Sequence, residues 1–176
     1  MKKAACALFC IMVVSYIFSV TAFADDFGER AISAFQKYRT LNEEWTAAFL
    51  SGDGDVQGET GKLLTEHENN EFAFVLKSLP EKYCSDPRMD VLQEFMKTLI
   101  ITANSGAEYP IYVFAELFAC DPGGVKKGIL SLPSEDQKVI IENLDYGFKN
   151  IAYKIESLPN YKDLVKKLDG LKKEVY

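Results

Sequence analysis

The chain has 176 residues, and its 26 Asp and Glu outnumber its 20 Lys and Arg, which gives a formal net charge of −6 at pH 7. An acidic surface repels phosphate backbones, and no basic stripe is large enough to offset this charge, so we expect no binding to nucleic acid. The length suffices for one domain with a hydrophobic core.

The first 24 residues have the pattern of a secretory signal peptide. Two lysines precede a long apolar stretch, and Ala22 and Ala24 are small residues where a signal peptidase cleaves. The alternative is an uncleaved anchor, because the stretch is nearly long enough to span a bilayer. We predict cleavage after Ala24 and a periplasmic or secreted location. Residues 25–176 then form a single domain of formal charge −8, without a transmembrane segment.

Two of the four cysteines, Cys84 and Cys120, follow this segment. An even pair in an exported protein indicates a disulfide, because an oxidising compartment leaves free thiols at risk. A redox-active or metal-binding pair usually has the closer spacing Cys-x-x-Cys. We therefore predict a structural disulfide between these two residues.

The first predicted helix begins near Phe27. Apolar residues recur every three or four positions from there to Phe49, on one helical face, and the Gly- and Asp-rich residues 51–55 end the helix. The same spacing resumes through residues 55–79, where glycines weaken the first turns. These two segments predict consecutive helices.

A turn that carries Cys84 precedes the third predicted helix. Asp86 is placed to cap this helix and Pro87 to be its first residue, and Ser105 and Gly106 end it.

Residues 109–120 are apolar nearly all round, and their β-branched and aromatic content would also suit a strand. A helix is favoured because the chain shows no partner strand, and an isolated strand leaves its backbone unpaired. This helix should be the central and most buried one.

The last third of the chain predicts three more helices. Asp121 and Pro122 open a short helix, and Ser134 and Gln137 have the spacing of a capping box at the start of the next. Asn160 is placed to cap the last helix.

The triplet Ser-Leu-Pro occurs at residues 78–80, 131–133 and 157–159. Proline disfavours continuation of a helix, so we interpret each triplet as a helix end. The chain as a whole predicts an all-α fold with one disulfide, in which about seven helices pack as antiparallel hairpins, either as an irregular bundle or as a short α-α superhelix.

Two segments, "SDPRMDVLQEFM" and "CDPGGVKKGILSL", place a valine four or five residues after an Asp-Pro, and the second follows it with Lys126. This pattern resembles HEAT and armadillo repeats, in which an Asp-Pro turn precedes a Val-Arg or Val-Lys helix. The resemblance covers about a third of the chain and implies stacked helical hairpins.

Residues 53–64 match the first half of an EF-hand calcium loop. Asp53, Asp55 and Gln57 occupy the first three ligand positions, but Leu64 stands where a bidentate glutamate belongs. The alternative is a solvated turn in which Asp53 caps the next helix.

His67 is the only histidine of the chain. On a helix it lies one turn from Glu71, which is reminiscent of the zinc-protease motif H-E-x-x-H, but the second histidine is missing. We therefore expect no metal and no cofactor, and place His67 at the edge of an apolar face, half packed and half solvated.

Two surfaces are candidates for interaction. One is aromatic, around Tyr109 and Tyr112, and the other is the lysine face of the last helix. That helix either docks elsewhere or closes the domain's own core. Its candidate lysines are Lys166, Lys167, Lys172 and Lys173.

We find no nucleophile or phosphate-binding motif, so the leading hypothesis is a non-catalytic exported protein that binds a protein partner, as an adaptor, an assembly factor or an inhibitor. One alternative is a small-molecule or lipid-binding domain with an aromatic-lined cavity. The second is an enzyme that uses the carboxylates around His67: Glu66, Glu68 and Glu71.

Overall fold

The computed structural model describes residues 26–102 and 108–176. The predicted signal peptide and the predicted helix end at Ser105 and Gly106 lie outside the described residues.

The described residues are almost entirely helical, and no strand occurs among them, so the all-α prediction is confirmed. The helix that follows residue 53 continues to residue 85 as one rod through a π-helical turn, and the helix of residues 134–150 is followed after one residue by a short helix. These rods correspond to the roughly seven predicted helices. The elements are α1 (Asp26–Ser51), α2 (Gly54–His67), the π-turn (Glu68–Phe72), α3 (Ala73–Ser85), α4 (Met89–Thr102), α5 (Glu108–Cys120), α6 (Pro122–Leu130), α7 (Ser134–Asn150), α8 (Ala152–Ile155) and α9 (Tyr161–Val175).

Helix α5 lies at the centre of the bundle, as the sequence predicts. It packs against α3, α6 and α7, and Phe114, Ala115 and Leu117 are fully buried. Burial of a large apolar side chain stabilises the fold by about 1.5–3 kcal/mol, so this helix contributes much of the core. Contacts also join α1 to α4 and α4 to α7, which makes the described part an irregular bundle.

The predicted disulfide between Cys84 and Cys120 is confirmed, with the two Cα atoms 5.8 Å apart. It joins the last turn of α3 to the last residue of α5, so the prediction that Cys84 lies in a turn is wrong. Beside it, the hydroxyl of Tyr83 donates to Asp121 Oδ2 over 2.9 Å. Because Tyr83 is buried and faces this carboxylate, its pKa is raised.

Several predicted caps differ in the structure. Helix α3 continues to Ser85, so Asp86 follows its end, and α4 begins only at Met89. Before α7, the Gln137 amide donates to the carbonyl of Leu132 over 2.8 Å, and no capping box forms.

The other two predicted caps have different outcomes. Asn160 precedes α9, but its side chain makes no capping hydrogen bond. Asp121 caps α6 as predicted, accepting from the Gly124 N–H over 2.8 Å.

The interpretation of Ser-Leu-Pro as a helix end holds at residues 131–133 and 157–159 and is wrong at residues 78–80. Pro80 lies inside α3, although it lacks the N–H of a helical hydrogen bond. The side chains of Leu79 and Tyr83 on either side are buried, so the packing of α3 outweighs the local effect of the proline.

Candidate protein-binding site

Residues 41–67 form the outer part of the α1–α2 hairpin, and we call this part the arm. Leu41 and Ala48 are buried between its two helices, but neither belongs to the continuous apolar core that joins the other helices. The arm therefore packs mainly on itself.

The turn at the tip of the arm is built by two residues. Gly52 has a φ of +73°, which glycine adopts without strain. Asp53 caps α2, because its Oδ1 accepts from the Val56 N–H over 3.1 Å. Asp55 and Gln57 lie within α2, so the residues with calcium-loop spacing form a cap and a helix instead of a loop. Across residues 26–102 and 108–176, no group of three or more His, Cys, Asp or Glu is placed to hold a metal ion.

Four large apolar side chains of the arm are exposed to solvent. Phe49, Leu50 and Val56, at the tip, are 58%, 78% and 47% exposed, and Leu63, further along α2, is 48% exposed. The sequence predicts Phe49 and Leu63 on buried faces, and the structure corrects this because no other described helix covers them. Apolar groups clustered in this way are typical of interaction surfaces.

Most of the net charge of the chain lies on the arm. Its six carboxylates and one lysine give it a formal charge of −5, against −6 for the whole chain. All six carboxylates are exposed: Glu43, Glu44, Asp53, Asp55, Glu59 and Glu66. The surface of the arm thus combines exposed apolar side chains with negative charge.

An open groove of about 700 Å³, which we call the Trp45 groove, runs along one side of the arm. Trp45 lies on one side of it, and its other side follows α2 and the π-turn from Gly54 to Asn70. The indole of Trp45 stacks on Phe49 with ring centroids 5.8 Å apart and an interplanar angle of 14°. Nothing lies within 4 Å of the position that a Cβ at Gly54 or Gly58 would take.

His67 lies at the base of the arm and is buried, with 5% of its surface exposed, so the prediction of a half-solvated residue is wrong. Its Nε2 is 2.9 Å from the carbonyl oxygen of Ala34 in α1. Glu71 instead accepts two hydrogen bonds from Arg30, at 2.5 and 2.9 Å, which lower its pKa. His67 and Glu71, which the sequence places one helical turn apart, therefore bind different partners in the structure.

The π-turn begins directly after His67. The spacing of the apolar residues indicates this turn, although a search for the three- and four-residue spacing of an α-helix does not find it. The consecutive core-facing positions His67 and Phe72 are five residues apart, whereas the neighbouring steps are of three and four. Five is the hydrogen-bonding interval of a π-helix.

The predicted aromatic surface at Tyr109 and Tyr112 gains Tyr146 and Tyr153 from α7 and α8. Tyr112 and Tyr146 donate to the two oxygens of Glu108, at 2.5 and 2.7 Å, which lowers the pKa of Glu108 and raises those of both tyrosines. Three of the tyrosines are exposed, so this is a second aromatic surface.

Helix α9 packs its apolar face into the core. Leu164, Leu168 and Leu171 are buried, which supports the interpretation that this helix closes the domain. The candidate lysines face outward or bind neighbouring carboxylates. Lys166 and Lys173 are exposed, Lys167 pairs with Asp163 at 2.8 Å, and Lys172 pairs with Asp145 at 3.0 Å.

The fold and the arm define the chain as an all-α bundle with one disulfide and a projecting helical hairpin. Comparison with protein-family models, curated proteins and solved structures gives no match. Among the described helices, none has the length and hydropathy needed to cross a membrane.

Proposed function

We propose that the chain is an exported, non-catalytic protein that binds a protein partner through the arm. The observation that carries this proposal is the exposure of Phe49, Leu50, Val56 and Leu63 along the arm. Solvent-exposed apolar side chains lower the solubility of a monomer, and they gain free energy when a partner removes them from water. An adaptor, an assembly factor or an inhibitor fits this arrangement.

Two further features support this proposal over the two alternatives. The pocket of about 250 Å³ at the start of α1 includes Lys82, Asp86 and Arg88 in its lining, which does not suit an apolar ligand. A carboxylate enzyme needs an acid with a raised pKa in a cleft, whereas the pKa of Glu71 is lowered by Arg30.

Export is part of the proposal. The pattern of residues 1–24 predicts a cleavable signal, and the disulfide suits an oxidising compartment. Expression of the full chain in a Gram-negative host tests export directly. We expect periplasmic protein that begins at Asp25, and cytoplasmic protein that begins at Met1 would contradict it.

Affinity capture from a periplasmic extract tests the binding function. The double variant Phe49→Ser/Leu50→Ser should lose proteins that the wild type retains, because it removes the apolar tip. The matched control is Leu130→Ser/Leu158→Ser, which makes a similar change at side chains that are 40% and 37% exposed outside the arm and the aromatic surface. Loss of the same proteins from both variants, or from neither, would contradict binding through the arm.

A further inference from the structure

We infer that the protein partner of the arm is a second copy of this chain, and that the tip of the arm, residues 49–56, binds to helices α6 and α9 of that copy. This inference rests on the proposed function, since it names the partner for the same surface. Three observations carry it: the uneven distribution of charge, a cavity between α6 and α9, and the side chains of the tip.

The chain carries opposite charges on two separate surfaces. Helices α6 and α9 together hold seven lysines and three carboxylates, which gives them a formal charge of +4, whereas the arm has a charge of −5. Helix α9 packs against α6 and α7, whereas the arm packs mainly on itself, so the two charges do not neutralise each other within one copy. Complementary charges of this kind favour a contact between the arm of one copy and the α6–α9 surface of the next.

A cavity of about 270 Å³ lies between the first turns of α6 and the second half of α9. Phe118 and Leu171 belong to its lining and are almost inaccessible to solvent, so they form an apolar floor. Gly170 also belongs to the lining, and nothing lies within 4 Å of the position that a Cβ there would take. The cavity therefore has an apolar floor and room for one large apolar side chain.

The rim of this cavity is charged and solvent-accessible. Lys126 pairs with Glu174, and Lys167 pairs with Asp163, and these four side chains are 44–59% exposed. Exposed ion pairs contribute little free energy, so these lysines can exchange their partners for carboxylates of another copy at small cost. Lys166, the neighbour of Lys167, is exposed and forms no ion pair within the described part of the chain.

The tip presents side chains that suit such a cavity. The ring of Phe49 stacks on Trp45, and a Cβ at Gly61 would lie 3.3 Å from the indole nitrogen, so the aromatic pair rests against α2. Because the ring of Phe49 is already held in place, its binding costs little side-chain entropy. Leu50 is more exposed still, and the exposed carboxylate of Asp55 lies just beyond the turn.

The charges favour a head-to-tail contact over a symmetric one. Two arms that faced each other would bring two charges of −5 together, whereas an arm that meets the α6–α9 surface joins opposite charges. An apolar patch that fits a cavity elsewhere on the same molecule makes a contact that can repeat from copy to copy. Each dimer then keeps one free tip and one free cavity.

A substitution at Gly170 tests the cavity without disturbing the fold. In Gly170→Leu the new side chain enters open space in the free protein, replaces a helix-weakening glycine and fills the cavity. The matched control is Gly170→Ala, which removes the same glycine but adds only one methyl group. The tip is tested with Phe49→Ser/Leu50→Ser, and circular dichroism should show that all three variants are folded.

Sedimentation velocity over a range of protein concentrations measures association. The wild type should form dimers and larger species as its concentration rises, and added salt should reduce them because exposed charges are screened. Gly170→Leu and Phe49→Ser/Leu50→Ser should each weaken association by about tenfold or more, and Gly170→Ala should resemble the wild type. A wild type that stays monomeric, or equal association of all the variants, would overturn the inference.

A mixture of two variants tests the head-to-tail arrangement. Gly170→Leu keeps an intact tip, and Phe49→Ser/Leu50→Ser keeps an open cavity, so an equimolar mixture should form a dimer with one copy of each and nothing larger. A symmetric contact between two arms predicts no dimer in this mixture, because one variant lacks the apolar tip. Absence of the mixed dimer would therefore refute the head-to-tail contact.

Charge reversal tests the electrostatic part of the inference. Glu43→Lys/Glu59→Lys reverses charge on the arm, and Lys166→Glu/Lys173→Glu reverses charge on α9, at side chains that are all exposed. Each variant alone should associate about tenfold more weakly than the wild type, because like charges then face each other. The mixture of the two should regain association, because the reversed arm meets the reversed α9. Weak association that mixing does not restore would contradict recognition by charge.

The remaining outcomes separate this inference from the proposed function. If the wild type stays monomeric while Phe49→Ser/Leu50→Ser loses captured proteins, the arm binds a different protein, so the binding function stands and the second copy is wrong. If the wild type stays monomeric and Phe49→Ser/Leu50→Ser captures the same proteins as the wild type, both proposals fail.

Discussion

The Nε2 atom of His67 lies 2.9 Å from the carbonyl oxygen of Ala34, across the base of the α1–α2 hairpin. Because the histidine is buried, this contact holds the arm against the bundle at the residue where the π-turn begins.

Replacement of His67 by alanine should therefore destabilise the domain. The change removes a buried ring and one hydrogen bond, and we expect the free energy of unfolding to fall by about 2–3 kcal/mol. Urea unfolding followed by circular dichroism measures this. Lys62→Ala, an exposed change in the same helix, is the control and should stay within about 0.5 kcal/mol of the wild type. An equal effect of the two changes would show that the contact does not hold the arm.

The disulfide should contribute strongly to stability. Cys84 and Cys120 are 36 residues apart, and closing a loop of that length stabilises a fold by about 4 kcal/mol in the chain-entropy model. We expect Cys84→Ala/Cys120→Ala to remain helical and to unfold at a clearly lower urea concentration. Wild-type protein in a reducing agent should match the variant, and an unchanged midpoint in either sample would contradict the prediction.

The ion pair between Arg39 and Glu94 should make stability depend on pH. Both side chains are largely buried, at 17% and 13% exposure. Burial alone would raise the pKa of Glu94, but hydrogen bonds from Lys97 and Arg39 hold it below its usual range. Because the folded pKa is below the unfolded one, the stabilisation is complete above about pH 5 and is lost as the pH falls through the folded pKa.

Arg39→Met should thus lower the free energy of unfolding by about 2 kcal/mol at pH 7, because it leaves a largely buried carboxylate with only the exposed Lys97 as a partner. The difference from the wild type should shrink as the pH falls through the lowered pKa of Glu94, because the protonated carboxyl no longer needs a cationic partner. Urea unfolding across this range measures it. Lys97→Met removes an exposed partner of the same carboxylate and should change stability by about 0.5 kcal/mol or less. A difference in the free energy of unfolding that does not vary with pH would show that the charge of Glu94 is not its cause.

Replacing Pro80 and Pro133 by alanine should change the free energy of unfolding in opposite directions. Pro80 lies inside α3, so Pro80→Ala restores an N–H for the helix and should raise the free energy of unfolding by about 1–2 kcal/mol. Pro133 precedes α7 with a φ of −55°, close to its fixed value, so Pro133→Ala should lower it by about 0.4–1 kcal/mol. Thermal unfolding tests both, and destabilisation by Pro80→Ala would mean that the proline shapes α3.

The fold was predictable because the helices that build the core carry regular apolar spacing. Residues 109–120 form a helix, as the absence of a partner strand indicates, and the two cysteines that follow the predicted signal peptide form the predicted bridge. The caps were less predictable, because Asp86 and Asp121 both precede a proline and only the second caps the helix that follows. Which backbone N–H a side chain reaches depends on where the preceding helix ends.

The candidate site was not predictable from periodicity. Phe49 and Leu63 continue apolar stripes whose other members are buried or partly buried. Apolar spacing shows which face of a helix is packed, but it does not show how much of the helix's length its neighbours cover. The acidic composition of residues 41–67 was visible in the sequence, but its meaning depends on the exposure of the apolar side chains among the carboxylates.

The π-turn determines how the arm is rotated relative to the core. If residues 68–72 wound as ordinary α-helix, each residue would advance the chain by about 100° around the helix axis. The five-residue step from His67 to Phe72 would then leave the arm rotated about that axis by one such increment relative to the core. The turn absorbs that mismatch and so holds one residue more than a regular helix needs. Deleting one residue from the π-turn should therefore restore regular α-helix there and leave the orientation of the arm about this axis unchanged, whereas deleting one from α2 would rotate the tip of the arm by about 100° around the axis.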